Sequence, residues 1–414
     1  MQYDPFDPVM RTDPFPVYAQ LRRDSPVHYV ERWDSWALSL FEDVWNAGQD
    51  NDHFMQPGPS LMVGDDTTTD AAFESLADTP DDEPIRGTIF MMNPPHHTEV
   101  RKALARLFTP KGVGRLESEL RLRVRELLAE ALPTGRMDAI GDFAGQISVA
   151  VACAIIGLPA EDGPLLSGIV TRNFAREPGV EGMPPDAIAA MVELHEYLHA
   201  AIAERRRSGR TDTEDALGAF LRASVDGRPF DDQELAGQLM TLVVGGTETL
   251  PKVFAGGVLQ LARHPDQRAA LVSDPTRIKP AFEEIARYEM PTQFLTRSVK
   301  QDIELRGEKL RAGQGVLLLY RSANRDEREF VEPDRFDIAR GPSRILSFGH
   351  GTHVCLGQHA ARLEARIMYE ELLAAVPEYE VPEETVVRAH SEFVDGYLAM
   401  PIVFEPREFE AGSA

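Results

Sequence analysis

Cysteine is scarce in this chain, whose 414 residues include only Cys153 and Cys355. Two cysteines cannot build a disulfide framework, and they fit a reducing compartment with at most one thiolate metal ligand. We find no zinc-binding spacing, so we expect no metal ion held by protein side chains alone.

Long hydrophobic runs and basic tracts are also missing. The longest apolar run, residues 149–156, is far shorter than the ~20 residues that span a membrane. The N-terminus has neither a basic start nor an apolar stretch, so we expect no signal peptide, no membrane anchor and a cytoplasmic location. The formal charge of −24, from 43 basic and 67 acidic residues, disfavours nucleic acid as a partner because like charges repel.

The hydropathy pattern indicates a mostly helical chain. Helical periodicity dominates residues 96–290 and 356–376, and short β patterns lie in residues 27–40, 298–319 and 387–404. These strands do not alternate regularly with helices, which argues against a parallel α/β sheet. We therefore predict a mainly α fold with small β-sheets, formed by residues 1–414 as a single domain.

A long apolar pattern predicts one central helix from residue 231 to about residue 263. Asp231 and Glu234 have the spacing of a capping box at its start. The dipeptide His264-Pro265 ends it. A helix of roughly 30 residues is about 45 Å long, so we expect it to cross the middle of the molecule.

The centre of this helix, GGTETLP at residues 245–251, is weak. Two adjacent glycines cost about 2 kcal/mol of helix propensity. Thr249 can donate back to the carbonyl of Gly245 and bend the turn, and Pro251 lacks the N–H that would bond to Thr247. The turn is either an ordinary kink or a groove that accepts a diatomic ligand and a water molecule.

One short run, FGHGTHVCLG at residues 348–357, surrounds Cys355 with glycines. Gly349, Gly351 and Gly357 allow the backbone to approach a flat cofactor closely, and Phe348 can shield the sulfur from water. A helix that begins just after Cys355 would lower the thiol pKa through its free N–H groups. These features favour a buried thiolate that binds iron over an inert core cysteine.

The stretch FGHGTHVCLGQHAARLE resembles the haem-binding loop of the cytochrome P-450 family. The resemblance extends over about residues 14–406 and is similar in style to soluble bacterial camphor hydroxylases. It implies a single triangular-prism-like unit, with haem b between the long central helix and the cysteine loop and with Cys355 as the axial iron ligand. The implied activity is a monooxygenase that uses dioxygen, two electrons and two protons to hydroxylate or epoxidise a small hydrophobic molecule.

The weak turn of the central helix resembles the oxygen-binding signature of this family. The resemblance implies that Thr249 is the hydrogen-bond partner of dioxygen and that Glu248 belongs to the proton supply, with Gly245 beside the haem. Leu250 replaces a frequent second threonine and Pro251 is unusual within the helix, so the local hydrogen bonding departs from the common pattern.

Further positions match family residues that hold the cofactor or its loop. His97, Arg101, Arg297 and His353 are implied to bind the haem propionates, which need cationic partners. Phe348, Gly349 and Gly357 are implied to contact the haem from the cysteine loop. Glu284 and Arg287 form the Glu-x-x-Arg pair, which the resemblance places under the loop 333–336 and Arg340 as a scaffold.

Family positions also imply a substrate pocket, which is mostly apolar and fits a hydrophobic molecule. Its expected members are Ile85, Phe90, Met91, Thr241, Val244, Gly245, Gln293, Phe294, Leu295, Phe393 and Val394. Terpenoid, aromatic, fatty acyl and steroid substrates all stay open. The acidic residues 65–83, which include no lysine or arginine, form either a solvated loop or a lid near the entrance.

We find no dinucleotide fingerprint, and we expect no redox domain on this chain. The resemblance therefore implies external electrons, from a ferredoxin and a ferredoxin reductase that uses NAD(P)H, and we expect a monomer. A basic patch of Lys102, Arg106, Lys111, Arg115 and Arg362 can steer an acidic donor, although ordinary surface cations explain these residues equally well. A peroxide-driven peroxygenase and a non-enzymatic haem protein are the alternative functions.

Overall fold

The computed structural model describes residues 3–56, 87–176, 183–389, 391 and 393–408. Helices dominate these residues, and short strands gather from both ends of the chain, as the hydropathy pattern predicts. The acidic stretch 65–83 and the pocket candidate Ile85 lie outside the described residues.

The helices are numbered here in chain order. The first eight are α1 Pro8–Thr12, α2 Phe15–Asp24, α3 Phe41–Gln49, α4 His96–Leu104, α5 Pro110–Gly114, α6 Glu117–Ala131, α7 Gly145–Ile156 and α8 Gly163–Phe174. The others are α9 Pro185–Arg207, α10 Ala216–Arg222, α11 Asp232–Thr247, α12 Thr249–Arg263, α13 Pro265–Ser273, α14 Ile278–Tyr288, α15 Tyr320–Ala323 and α16 Gln358–Ala375.

The strands are short and form one larger sheet and several pairs. They are β1 Val27–Val30, β2 Ser35–Leu38, β3 Phe54–Met55, β4 Arg136–Asp138, β5 Ser224–Val225, β6 Arg228–Pro229, β7 Leu295–Val299, β8 Ile303–Leu305, β9 Glu308–Leu310, β10 Gly315–Leu318, β11 Val387–Arg388, β12 Tyr397–Ala399 and β13 Pro401–Val403. The five-stranded sheet has the order β1-β2-β10-β7-β3. Strands β10 and β2 are parallel, and the other pairs in this sheet are antiparallel.

The main hydrophobic core lies among the helices. Helix α11 packs against both α7 and α9, and α12 packs against α14 and α16. One stretch, Ala139–Ile156, which joins a π-helical segment to α7, is long and apolar enough to cross a membrane. Because 61% of it is buried within the protein, this stretch also has the properties of a core helix.

The predicted central helix is present but divided into two helices. Its N-terminal capping box is formed by Asp231 and Glu234, as predicted. Helix α11 ends at Thr247 and α12 begins at Thr249, with Glu248 between them at φ −99° and ψ −42°. Pro251 therefore lies in the first turn of α12, where a missing N–H costs little.

One detail of this turn differs from the prediction. Thr249 forms no hydrogen bond with Gly245 among the described residues. Instead, the hydroxyl of Thr247 donates to the carbonyl oxygen of Val243 at 2.8 Å. Two threonines lie one residue on either side of Glu248, and the sequence could not say which of them would bond back into the helix.

A buried ion pair joins α14 to the chain segment that precedes the cysteine loop. The Arg287 guanidinium donates to both carboxylate oxygens of Glu284, at 2.7 and 2.8 Å, and both side chains are fully buried. Arg287 also donates to the carbonyl oxygen of Pro333 at 2.9 Å, and Arg340 donates to Glu284 at 3.0 Å. The pair and its loop thus make the contacts that the resemblance implied.

Candidate functional site

The cysteine loop is closed by backbone hydrogen bonds. The N–H of Cys355 donates to the carbonyl oxygen of Phe348 at 2.7 Å, and the N–H of Gly349 donates to that of Leu346 at 2.9 Å. Gly351, at φ +72°, has a different role from the one expected. A Cβ there would lie 2.2 Å from the carbonyl oxygen of Gly48, so this glycine is required by packing against α3 and not by a cofactor.

The sulfur of Cys355 faces an internal space. The side chain is exposed to a solvent-sized probe, yet the surrounding protein removes enough water that desolvation raises the thiol pKa. The backbone N–H groups of Gly357 and Gln358 and the nearby charges of Arg101 and Arg362 act in the opposite direction and lower this pKa. Helix α16 begins at Gln358, as predicted, and its N-terminus favours a thiolate, but burial outweighs this effect and the thiol pKa is raised overall.

Two arginines and two histidines form a cationic cluster beside the cysteine loop, and its positive charge comes from the arginines. The His97 and His353 rings lie 4.3 Å apart between centroids. Arg101 donates to the carbonyl oxygens of Val354 at 2.6 Å and of Thr352 at 3.4 Å, whereas Arg297 donates to that of Thr296 at 2.7 Å. Segments far apart in the sequence thus bring together all four predicted propionate partners.

This cluster has no acidic counterpart. Within the parts of the chain that the structure describes, no carboxylate forms an ion pair with Arg101 or Arg297, although Arg297 is only 4% exposed. Desolvation, reinforced by the neighbouring arginines, lowers the pKa of His97 to about 4 and that of His353 to about 3. Burial also lowers the pKa of Arg297. A buried positive cluster without an anion is costly, and a bound group with negative charge would offset that cost.

The helix side of the internal space also fits a flat group. Gly245 is exposed although it lies in α11, and a Cβ added there would meet no atom within 4 Å. Its neighbour Gly246 is also exposed, but a Cβ there would lie 3.1 Å from that of Ala152. The donor set, the uncompensated cations and the open face of Gly245 therefore all fit a haem ligated by cysteine.

The break between α11 and α12 presents an ion pair that the sequence analysis missed. Glu248 pairs with Lys252, and the two side chains are 11% and 5% exposed. Their spacing of four residues on one helix is the signal that would have predicted the contact. A buried carboxylate held by a lysine can receive and release a proton without entering bulk water.

The pocket prediction needs three corrections. The Gln293 side chain is bonded to Tyr18, Met10 and Ser391 and is 1% exposed. Phe294, 2% exposed, packs into the core around Tyr18. Val394 is buried in a bridge with Thr292. These side chains present almost no surface to a ligand, so we remove them from the pocket.

The other described candidates retain surface that a ligand can reach. Phe90 and Met91 are exposed on the segment before α4, and Thr241 and Val244 are partly buried on α11. Leu295 and Phe393 are also partly buried. The hydroxyl of Thr241 donates to the carbonyl oxygen of Gly237 at 3.2 Å. The surface that these residues present to a ligand is therefore mostly apolar.

A cleft of about 220 Å³ lies beside the cysteine loop. Trp45, Arg344, Phe348, His350 and Arg362 are among its lining residues. The Arg362 guanidinium lies 4.2 Å from the centroid of the Phe348 ring. Phe348 therefore separates the loop interior from a surface that includes two arginines.

The fold and this arrangement define a haem-thiolate protein, and comparisons with known proteins agree. The family model described as Cytochrome P450 matches residues 183–384. Cytochrome P450 130 of Mycobacterium tuberculosis is 34% identical over 399 residues, covering 94% of each chain. Methyl-branched lipid omega-hydroxylase of the same species is 32% identical over 404 residues, covering 94% of this chain and 90% of the relative.

A solved structure supports the same assignment. The crystal structure of CalO2 superimposes with a TM-score of 0.83 and 31% identity, covering 98% of this chain and 99% of that chain. The chain therefore belongs to the cytochrome P450 family. It is a bacterial haem-thiolate monooxygenase that acts on hydrophobic substrates.

Proposed function

We propose that Cys355 ligates the haem iron while His97, Arg101, Arg297 and His353 hold the propionates. The observation that carries this proposal is the cationic cluster without a carboxylate, next to a desolvated cysteine. Haem b, when bound, supplies the chemistry that activates dioxygen with two electrons and two protons. Phe348, Gly349, Gly357 and Gly245 line the cofactor, and Phe348 keeps water away from the sulfur.

The protein's contribution to the reaction centres on the gap between α11 and α12. We assign the Thr249 hydroxyl the role of orienting dioxygen by a hydrogen bond. Glu248 passes protons from its carboxylate to this gap, and Lys252 holds that carboxylate between transfers. Because α12 begins at Thr249, we propose that a water molecule at the helix break links the carboxylate to the hydroxyl.

The electron donor is proposed to be a ferredoxin, reduced by a ferredoxin reductase that uses NAD(P)H. The cleft near Phe348 is the proposed docking surface, although its arginines Arg344 and Arg362 are already paired with Glu329 and Glu283. The basic patch is smaller than expected, because Arg106 and Arg115 both pair with Glu214 and Arg362 pairs with Glu283. Lys102 and Lys111 form no ion pair within the described residues.

The substrate is proposed to be a small hydrophobic molecule in a pocket formed by Phe90, Met91, Thr241, Val244, Leu295 and Phe393. One relative is named a methyl-branched lipid omega-hydroxylase. A structural neighbour, P450BioI, was solved in complex with an acyl carrier protein ligated to hexadec-9Z-enoic acid. Fatty acyl compounds are therefore the first class to screen, followed by steroids. We also propose that residues 1–414 act as one cytoplasmic, monomeric domain.

Replacement of Thr249 tests the proposed role of its hydroxyl in orienting dioxygen. In Thr249→Ala, we expect the yield of product per NAD(P)H consumed to fall several-fold and hydrogen peroxide to rise, because dioxygen loses its hydrogen-bond partner. Thr247→Val is the matched control, since the Thr247 hydroxyl is already bonded to Val243, and it should keep wild-type coupling. Unchanged coupling in Thr249→Ala would contradict the role. Efficient turnover with peroxide alone would favour the peroxygenase alternative.

A further inference from the structure

Helix α9 presents two histidines on one face, well away from the cysteine in the sequence. His195 and His199 are four residues apart in the run HEYLH at residues 195–199, and both are partly buried. Side chains at this spacing are neighbours on a helix. The pattern His-Glu-x-x-His is one that places two imidazoles on the same metal ion.

Both imidazoles point toward the same place, and the side chain of Gln233 from α11 joins them there. The Nε2 atoms of His195 and His199 are 3.0 Å apart. The Oε1 atom of Gln233, in the first turn of α11, lies 3.1 Å from each of them. The three atoms thus form a nearly equilateral triangle between two helices.

Hydrogen bonds alone cannot satisfy all three contacts of this triangle. Each neutral imidazole has at most one hydrogen on Nε2, and a carbonyl oxygen only accepts. If both nitrogens donate to Gln233, no hydrogen bond joins the two rings. If one ring donates to the other, the accepting nitrogen faces the Gln233 oxygen with lone pair against lone pair. At least one of the three close contacts therefore remains without a hydrogen bond.

A metal ion accepts a lone pair from all three atoms. Metal–ligand bonds of about 2.1 Å place neighbouring ligands of an octahedron about 3 Å apart, which matches the sides of the triangle. Imidazole nitrogen is a preferred ligand of Zn²⁺, Cu²⁺ and Ni²⁺. Burial lowers the pKa of His195, which keeps the imidazole neutral, and the exposed Glu196 adds negative charge beside the triangle that opposes this shift.

We propose that His195, His199 and Gln233 bind a divalent transition-metal ion that clamps α9 to the start of α11. Gln233 is exposed, so the ion has access from solvent and water can complete its coordination. Among the described residues, Glu196 forms no hydrogen bond with either imidazole, and we assign the motif no hydrolytic step. This site does not depend on the proposed function.

Zinc titration of the tag-free holoenzyme tests the site. By calorimetry with ZnCl₂, we expect one ion per chain in the wild type, at least tenfold weaker binding in His195→Ala and in His199→Ala, and tighter binding in Gln233→His. His28→Ala, which removes a histidine of β1, is the matched control and should bind zinc like the wild type. No saturable binding, or equal affinity in the two alanine variants, would overturn the proposal.

Thermal unfolding distinguishes a clamp from zinc bound elsewhere on the surface. An ion held between two helices binds the folded chain better than the unfolded one. Zinc should therefore raise the Tm of the wild type and of His28→Ala, but not that of His195→Ala. A Tm that zinc leaves unchanged in the wild type would contradict the clamp even if the ion binds.

Discussion

At the scale of single residues, Arg297 is the clearest indication that the site binds an anionic group. Its guanidinium is buried, its pKa is lowered by that burial, and among the described residues it donates only to the carbonyl oxygen of Thr296. A buried charge without an opposite charge destabilises a fold. Under the proposed function, a haem propionate supplies the opposite charge.

Arg297→Met should therefore have opposite effects on the stability of the apoprotein and on the affinity for haem. We expect the apoprotein to unfold with an equal or greater free energy, because an uncompensated buried charge is removed. Haem affinity should fall roughly 10- to 100-fold, since a hydrogen bond to a charged group contributes about 1.5–3 kcal/mol. Denaturant unfolding and haem transfer to apomyoglobin measure the two quantities.

Arg335→Met is the control, because Arg335 pairs with Glu332 and Asp337 on the surface. It should leave haem affinity at the wild-type value. Haem binding in Arg297→Met as tight as in the wild type would contradict the propionate assignment.

Residues whose spacing and chemistry restrict their structural role could be predicted from the sequence. Cys355 and the Glu284–Arg287 pair belong to this group, because their spacing and neighbours restrict what they can do. Gln293 and Phe294 could not be placed, since a side chain next to a pocket in the sequence can point into the core instead. Gly351 was misread for the same reason: its constraint comes from α3, a helix about 300 residues earlier in the chain.

At the scale of helices and strands, the broken central helix was predicted as a weak turn. The sequence identified the glycines and Pro251, but it could not locate the break at Glu248. That position depends on how α11 and α12 pack against other helices. The short strand β4 was not predicted, because three residues have no periodicity, and it forms only by pairing with β13.

The motif HEYLH shows another limit of sequence reasoning. A search for cysteine spacing found no metal site, whereas His195 and His199 have helical spacing on α9. Their proposed third partner, Gln233, is more than 30 residues away in the chain. Only the packing of α9 against α11 brings it to the same point.

Helices α7 and α16 are joined by a buried acid that makes stability depend on pH. The Ser148 hydroxyl donates to the Glu364 carboxyl at 2.9 Å, and desolvation raises the pKa of Glu364 to about 8. Because the folded state holds this proton up to a higher pH than the unfolded state, its stabilising effect is complete below pH ~4.5 and is lost as the pH rises to about 8.

Glu364→Gln should remove this dependence. At pH 7 we expect the free energy of unfolding to rise by about 2–3 kcal/mol, and at pH 4.5 the variant should match the wild type. Urea denaturation at both pH values measures the difference. Glu378→Gln, on the exposed surface, should change neither value. An equal effect of Glu364→Gln at both pH values would rule out titration as the cause.

At the scale of the whole molecule, the fold assembles the site from distant segments. Helix α4 supplies His97 and Arg101, β7 supplies Arg297, and the loop before α16 supplies His353 and Cys355. The sequence predicted these members separately, and resemblance to a known family joined them. The positive charge of the cluster has no carboxylate to compensate it among the described residues. This became visible only in three dimensions, and it is the physical reason to treat the four residues as one set.

The central claim is that Cys355 binds haem iron as a thiolate, and the absorption spectrum of the reduced protein under carbon monoxide tests it most directly. We predict a strongly red-shifted Soret band in the wild type, retained in Cys153→Ser, because burial raises the pKa of the Cys153 thiol to about 11 and keeps it neutral. The band should be lost in Cys355→Ser. An ordinary haem–carbon monoxide band in the wild type, or a red-shifted band in Cys355→Ser, would contradict the account.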